Sequence, residues 1–217
     1  MKLLKYYNLS LILLLYQCLI CHTNAQTAKY QICATNWING EYFLVNAKGD
    51  TIKKLDKHEY WISFTEDFEK FAVFGISGKG WCAIDVRENI LFEVANFPIQ
   101  ESLSPDHLIE DRIMIIDTNG RYGFANTRGK IVIKPQFELV TQFHNGFAII
   151  LDDCHKVYWK DDEETDDEET DHEEHGVCNH YSLECNKYGY IDKKGKIIEL
   201  GNYTFEEIQK EIGWEWE

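Results

Sequence analysis

The chain has 217 residues, of which 44% are hydrophobic and 27% charged, and a formal net charge of −15. That length and apolar share support one moderate domain with a real core. No basic stretch offers a seat for a phosphate backbone, so nucleic-acid binding is disfavoured.

In chain order, the first element is a processing segment, residues 1–25. Lys2 and Lys5 give it a basic start, residues 9–20 are apolar apart from Ser10 and Gln17, and Thr23-Asn24-Ala25 precedes a cut near Ala25-Gln26. The apolar run of 12 residues is too short to cross a bilayer core of about 30 Å as a helix. The mature chain is therefore expected outside the cytoplasm, secreted or periplasmic, with no membrane span. Cleavage removes two of the 22 basic residues and none of the 37 acids, which leaves 20 against 37, a net −17. Cys33, Cys82, Cys154, Cys178 and Cys185 remain. An oxidising compartment favours disulfides, and Cys154 bonded to Cys178 or Cys185 would close the loop between them.

Residues 26–201 are self-similar. Tyr42, Tyr122 and Tyr188 each follow a Gly or Asn by two residues, Trp81 follows Gly78 by three, and the four are 39, 41 and 66 positions apart. The last gap carries an insertion; without it the period is near 40, as in repeat arrays. Units fall near 38–77, 78–117, 118–153 and 186–199. Within residues 122–133 an aromatic segment meets a Thr-Arg-Gly turn and then the β-branched run Ile131-Val132-Ile133, the pattern of a β-hairpin. Pro135 removes a ladder donor and ends that strand or places it at an edge. A further turn at Phe143-His144-Asn145-Gly146 leads into another apolar run from Phe147, so each unit reads as about three strands.

The residues Tyr122-Gly123-Phe124, Asn126, Gly129, Ile131, Pro135, Phe137-Glu138, Phe143, Gly146 and Ala148 resemble the WG repeat, a short β-rich repeat named for a Trp-Gly pair. Tyr188-Gly189-Tyr190-Ile191-Asp192 opens a second good copy. Tyr42-Phe43 and Trp81-Cys82 lack the second glycine. The resemblance implies an all-β fold of tandem antiparallel hairpin repeats, in an open propeller-like or extended array, and no recognised catalytic residue.

Two segments stand apart. The insertion, residues 155–180, contains an acidic stretch at 161–176 with 11 carboxylates and no Lys or Arg; it reads as a disordered, solvated loop. Residues 202–217 read as a short capping helix. Thr204 and Glu207 form a capping box, and Phe205, Ile208 and Ile212 share one face.

Candidate chemistry is sparse. Asp161, Asp162, Glu163, Glu164, Asp166 and Asp167 supply oxygen ligands for Ca2+, but without the glycine-punctuated spacing of a calcium loop, so weak association is the expectation and no cofactor is assigned. Cys154, His155, His172, His175, Cys178, His180 and Cys185 are zinc-capable types in no finger pattern, and a disulfide is favoured over a zinc site. No Gly-x-Ser-x-Gly or phosphate loop is present, and Ser77 reads as a turn residue. The periodic aromatics are expected in the core; Trp214 and Trp216 are the aromatics left as binding candidates. A non-catalytic exported module that binds a protein or glycan partner is the leading expectation. The alternatives are an envelope hydrolase acting on sugars and a calcium-responsive module.

Overall fold

A computed structural model describes residues 30–36, 40–96, 103–158 and 181–215. The expected signal segment, the carboxylates from Asp161 to Asp167, Cys178 and Trp216 lie outside them. The described residues form β1 (Tyr30–Asn36), β2 (Glu41–Val45), β3 (Thr51–Leu55), β4 (Tyr60–Ser63) and β5 (Asp67–Phe68). They continue with β6 (Ala72–Ile76), β7 (Gly80–Ile84), β8 (Ile90–Val94), β9 (Arg112–Ile116), β10 (Tyr122–Asn126) and β11 (Ile131–Phe137). The last are β12 (Leu139–Val140), β13 (Phe147–Tyr158), β14 (Tyr181–Asp192), β15 (Ile197–Gly201) and one helix, α1 (Phe205–Ile212). The expected all-β hairpin array forms as three open antiparallel sheets with a short C-terminal helix, and the described residues contain no closed barrel.

Two compact units divide the chain, with the boundary inside β7. The first is Met1–Gly80 with Ile84–Asn89, and the second is Trp81–Ala83 with Ile90–Glu217.

In the first unit β3, β2, β1 and β5 lie side by side, and β4 pairs with β6. Its core is aromatic: the Phe74 ring stands edge-on to Tyr42 at 5.3 Å and tilts against Tyr60 at 4.8 Å. In the second unit β8, β9, β10 and β11 form one run of strands, and β12, β13, β14 and β15 another. Met114, Phe124, Ile133, Phe143, Ile150 and Ile191 fill its main core. α1 lies against β13 and β14, burying Ile208 and Trp214 with Leu139, Ile149 and Tyr190. Thr204 caps the helix, with the Glu207 amide donating to Thr204 Oγ1 at 3.2 Å and the Thr204 amide to Glu207 Oε2 at 2.9 Å. Gly213 ends it at φ 61, a conformation glycine adopts without a Cβ penalty.

The repeats share hydrogen bonds even where their sequences diverge. In the second unit the Ile149 amide donates to Thr141 Oγ1 at 2.9 Å. In the first, the Val73 amide donates to Thr65 Oγ1 at 2.9 Å, again across eight residues. Gly123 and Gly189 have a distinct task. Between Tyr122 and Phe124, β11 advances from Phe137 to Ile133, a bulge that folds its backbone over Gly123. A Cβ there would lie 2.5 Å from the Ile133 carbonyl oxygen, and one on Gly189 only 2.0 Å from that of Glu199. The copy at Tyr42 carries Phe43 at this position, paired with Lys54 of β3.

β13 and β14 are 12 residues each, paired from Phe147↔Asp192 to Tyr158↔Tyr181. The insertion expected from residue 155 therefore starts later, because residues 155–158 are paired strand. A Cys154–Cys185 disulfide joins the two strands, and Lys156 Nζ stands 4.0 Å from the Tyr181 ring. A two-stranded ribbon is marginal on its own, and these cross-strand contacts extend it beyond the main sheet.

Candidate functional site

Five turns among the described residues follow one design. An Asp or Asn side chain accepts the amides two and four residues ahead. Asn126 Oδ1 takes those of Arg128 and Lys130 at 3.0 and 3.1 Å; Asp192 Oδ1 takes those of Lys194 and Lys196 at 2.8 and 3.0 Å. Asn46, Asp85 and Asp117 do the same. The carboxyls of the three aspartates, Asp85, Asp117 and Asp192, are held below their ordinary range because the hydrogen bonds they accept outweigh burial. The third residue after each has positive φ, and in four of the five it is glycine: Gly49, Gly120, Gly129 and Gly195.

The fifth is Glu88, at φ 64. Its side chain is buried in the first unit. Oε2 accepts the amides of Asp56 and Lys57 at 2.7 and 2.8 Å and the Tyr60 hydroxyl at 3.0 Å. Lys53 Nζ lies 2.5 Å from Oε1, a charge contact rather than a well-directed hydrogen bond. The Glu88 carbonyl meets His58 Nε2 at 2.9 Å. Burial pushes the Glu88 carboxyl up, but Lys53, the two amides and Tyr60 together hold it below its usual value. Burial, and then the Glu88 charge, push the Tyr60 hydroxyl well above its own. Through the Asp56 and Lys57 amides and the Tyr60 hydroxyl this carboxylate fastens the β3–β4 connection. Sequence reasoning missed it, although a Glu at the glycine position of an Asp-x-x-Gly turn is a visible departure.

Asp106 is the buried carboxylate of the second unit, 1% exposed. Gln142 Nε2 donates to Oδ1 and the Met114 amide to Oδ2. Burial pushes its carboxyl up to about 6, against the pull of these donors and His107. The Gln142 carbonyl in turn accepts Trp214 Nε1 at 2.9 Å. Trp214 is 2% exposed. Its ring is core, which argues against its reading as a binding candidate: Gly213 ends α1 in the left-handed conformation and the indole packs with Ile208.

A groove with an apolar lining lies in the second unit. The buried Phe137, Ile150 and Leu151 line it with Ile197 and Leu200, while Gln136, Glu138 and Asp152 stand at its margin. Strict alternation along β15 would put Ile197 and Leu200 on opposite faces. A register shift between Tyr190 and Ile191 brings Ile197 level with Ile191 and Leu200 level with Gly189. Those residues are level with Ala148 and Ile150 on β13, so both apolar side chains join one face. Ile197 and Leu200 remain 46% and 38% exposed. The volume is about 150 Å³.

Of the disulfide candidates, Cys154 and Cys185 bond, as one of the two expected pairings; Cys178 is outside the described residues. Among the described residues no three His, Cys, Asp or Glu side chains converge to hold a metal ion, and no helix is long and apolar enough to cross a membrane.

The WG containing repeat family matches residues 122–153 and 188–198. In those two stretches the chain carries the WG containing repeat. Both matched stretches hold the glycine over which a neighbouring strand folds, Gly123 and Gly189. In these two copies the aromatic-Gly pair is a backbone crossing, and the copies at Tyr42 and Trp81 fall outside the match. No curated protein matches the chain.

Proposed function

We propose that this WG repeat protein is a non-catalytic interaction module that acts outside the cytoplasm. The groove beside β15 carries this reading. At about 150 Å³ it is smaller than the roughly 300–1,000 Å³ of small-molecule sites, and it suits a single anchoring side chain of a partner. The two buried carboxylates, Glu88 and Asp106, are occupied by internal donors and do not offer a general acid or base to a substrate. The basic and apolar character of residues 1–25 supports export, and the Cys154–Cys185 bond suits an oxidising compartment.

Site-specific photo-crosslinking in the exported protein tests the proposal. A crosslinker at Leu200 should form protein adducts that one at the exposed turn residue Lys48 does not. Equal labelling from both positions, or none from Leu200, counts against it.

A further inference from the structure

Resting on that reading, we infer that the partner is an extended peptide strand that adds to the free edge of β15, with an aliphatic side chain in the groove and basic residues flanking it. Among the described residues β15 is the last strand of its sheet and pairs with β14 alone. An unpaired edge presents a row of backbone donors and acceptors, the template for strand addition. Natural edges are commonly blunted by inward charges or proline, whereas β15 reads Ile197-Ile198-Glu199-Leu200-Gly201 and leaves Ile197, Ile198 and Leu200 exposed.

Comparison of the copies sharpens this. Counting from Asn126 and Asp192, Ile133 and Lys134 of the preceding copy correspond to Glu199 and Leu200 here. Ile133 is buried, and Gly195 of the next turn packs on it. In the last hairpin the apolar residue has moved one place along, into the groove.

Charge selects the flanking residues. Glu138 and Asp152 border the groove. Glu138 Oε2 accepts the Asp153 amide at 2.9 Å, and Lys187 Nζ stands 3.9 Å from Asp152 with both groups exposed, a pair too open to neutralise the site. Ile150, Leu151, Ile197 and Leu200 make most of the groove wall, and the one ring in it, Phe137, is buried, so it offers a sugar little open face on which to stack. A peptide with Lys or Arg beside an aliphatic anchor complements these features better than a glycan or an acidic segment.

The test uses the full mature chain, isotope-labelled, and two short end-blocked peptides. One alternates lysine and valine around a central leucine, and its twin carries glutamate in place of lysine. The lysine peptide should shift the amide signals of Ile197–Gly201 and bind about tenfold more tightly than its twin. Leu200→Lys, at an exposed position, should abolish those shifts. Glu138→Gln with Asp152→Asn should weaken binding about fivefold; a merely adhesive cationic peptide would be insensitive to losing two of 37 acids. Equal binding of both peptides at β15 overturns the charge assignment while leaving an interaction module standing. Shifts confined to other strands overturn the site. No binding by either peptide, together with a polysaccharide that shifts the same amides, overturns the peptide partner and the side-chain reading of the groove. Concentration-dependent self-association abolished by Leu200→Lys assigns the edge to a second copy and overturns the proposal.

Discussion

The carbonyl oxygen of Ile133 lies over Gly123, 2.5 Å from the point where a Cβ on that residue would sit. The same relation holds between Glu199 and Gly189 at 2.0 Å. Both obstacles are backbone, which cannot rotate aside as a side-chain tip does. Gly123→Ala and Gly189→Ala should each cost about 3 kcal/mol or more. Gly120 is a useful control: a Cβ there meets nothing within 4 Å, and only its φ of 72 opposes the change, at about 1 kcal/mol. Urea unfolding of the three variants measures the contrast, and similar losses for all three would refute the crossing as the reason for the glycine.

Glu88 carries backbone strain that its hydrogen bonds offset. Glu88→Ala keeps the positive φ and leaves the Asp56 and Lys57 amides and the Tyr60 hydroxyl without their acceptor. Unmatched buried donors cost about 1–3 kcal/mol each, so a loss on the order of 3 kcal/mol is expected after relaxation. Hydrogen exchange should show the β3–β4 connection opening first. Unchanged protection of the Asp56 and Lys57 amides would rule out this fastening role.

Asp106 gives stability a distinct pH dependence. Its carboxyl is raised from 3.8 to about 6 by burial, so the folded state holds the proton more tightly than the unfolded chain. The stabilisation is complete below the unfolded value and is lost as pH rises through about 6, a change of roughly 3 kcal/mol. Relative to Asp106→Asn, the wild type should lose stability between pH 4 and pH 7. Parallel pH profiles for the two proteins would contradict this.

Cys154 and Cys185 are 31 residues apart, and closing a loop of that length confers roughly 3–4 kcal/mol in the chain-entropy picture. Cys154→Ser with Cys185→Ser should remove much of this, with amide protection lost first in residues 152–158 and 181–187. Protection around Ile149 and Ile191, both fully buried, should persist. Simultaneous loss in both regions would show that the ribbon is not a separate layer of stability.

The repeat period and hairpins were legible because they depend on local backbone chemistry. Asn126 and Gly129, or Asp192 and Gly195, impose their turn wherever the chain places them. Glu88 was not legible, because the partners that explain it, from Lys53 to Tyr60, lie about thirty residues earlier in the chain. The groove was hidden for another reason: a period of two puts Ile197 and Leu200 on opposite faces, and only the register shift beside Ile191 unites them. Trp214 misled because it follows the helix at the end of the chain. Gly213 just beyond an amphipathic run was the available signal, since such a cap often folds the next apolar residue against the helix.

The Cys154–Cys185 bond also has a meaning for how this chain tolerates change. Beyond it stand only four paired positions, ending at Tyr158 and Tyr181. Doubling the length of the sequence that joins those tyrosines costs only about 0.6 kcal/mol in closure entropy. The bond makes that junction a natural port, where evolution or an engineer exchanges cargo while the repeat fold beneath keeps its register.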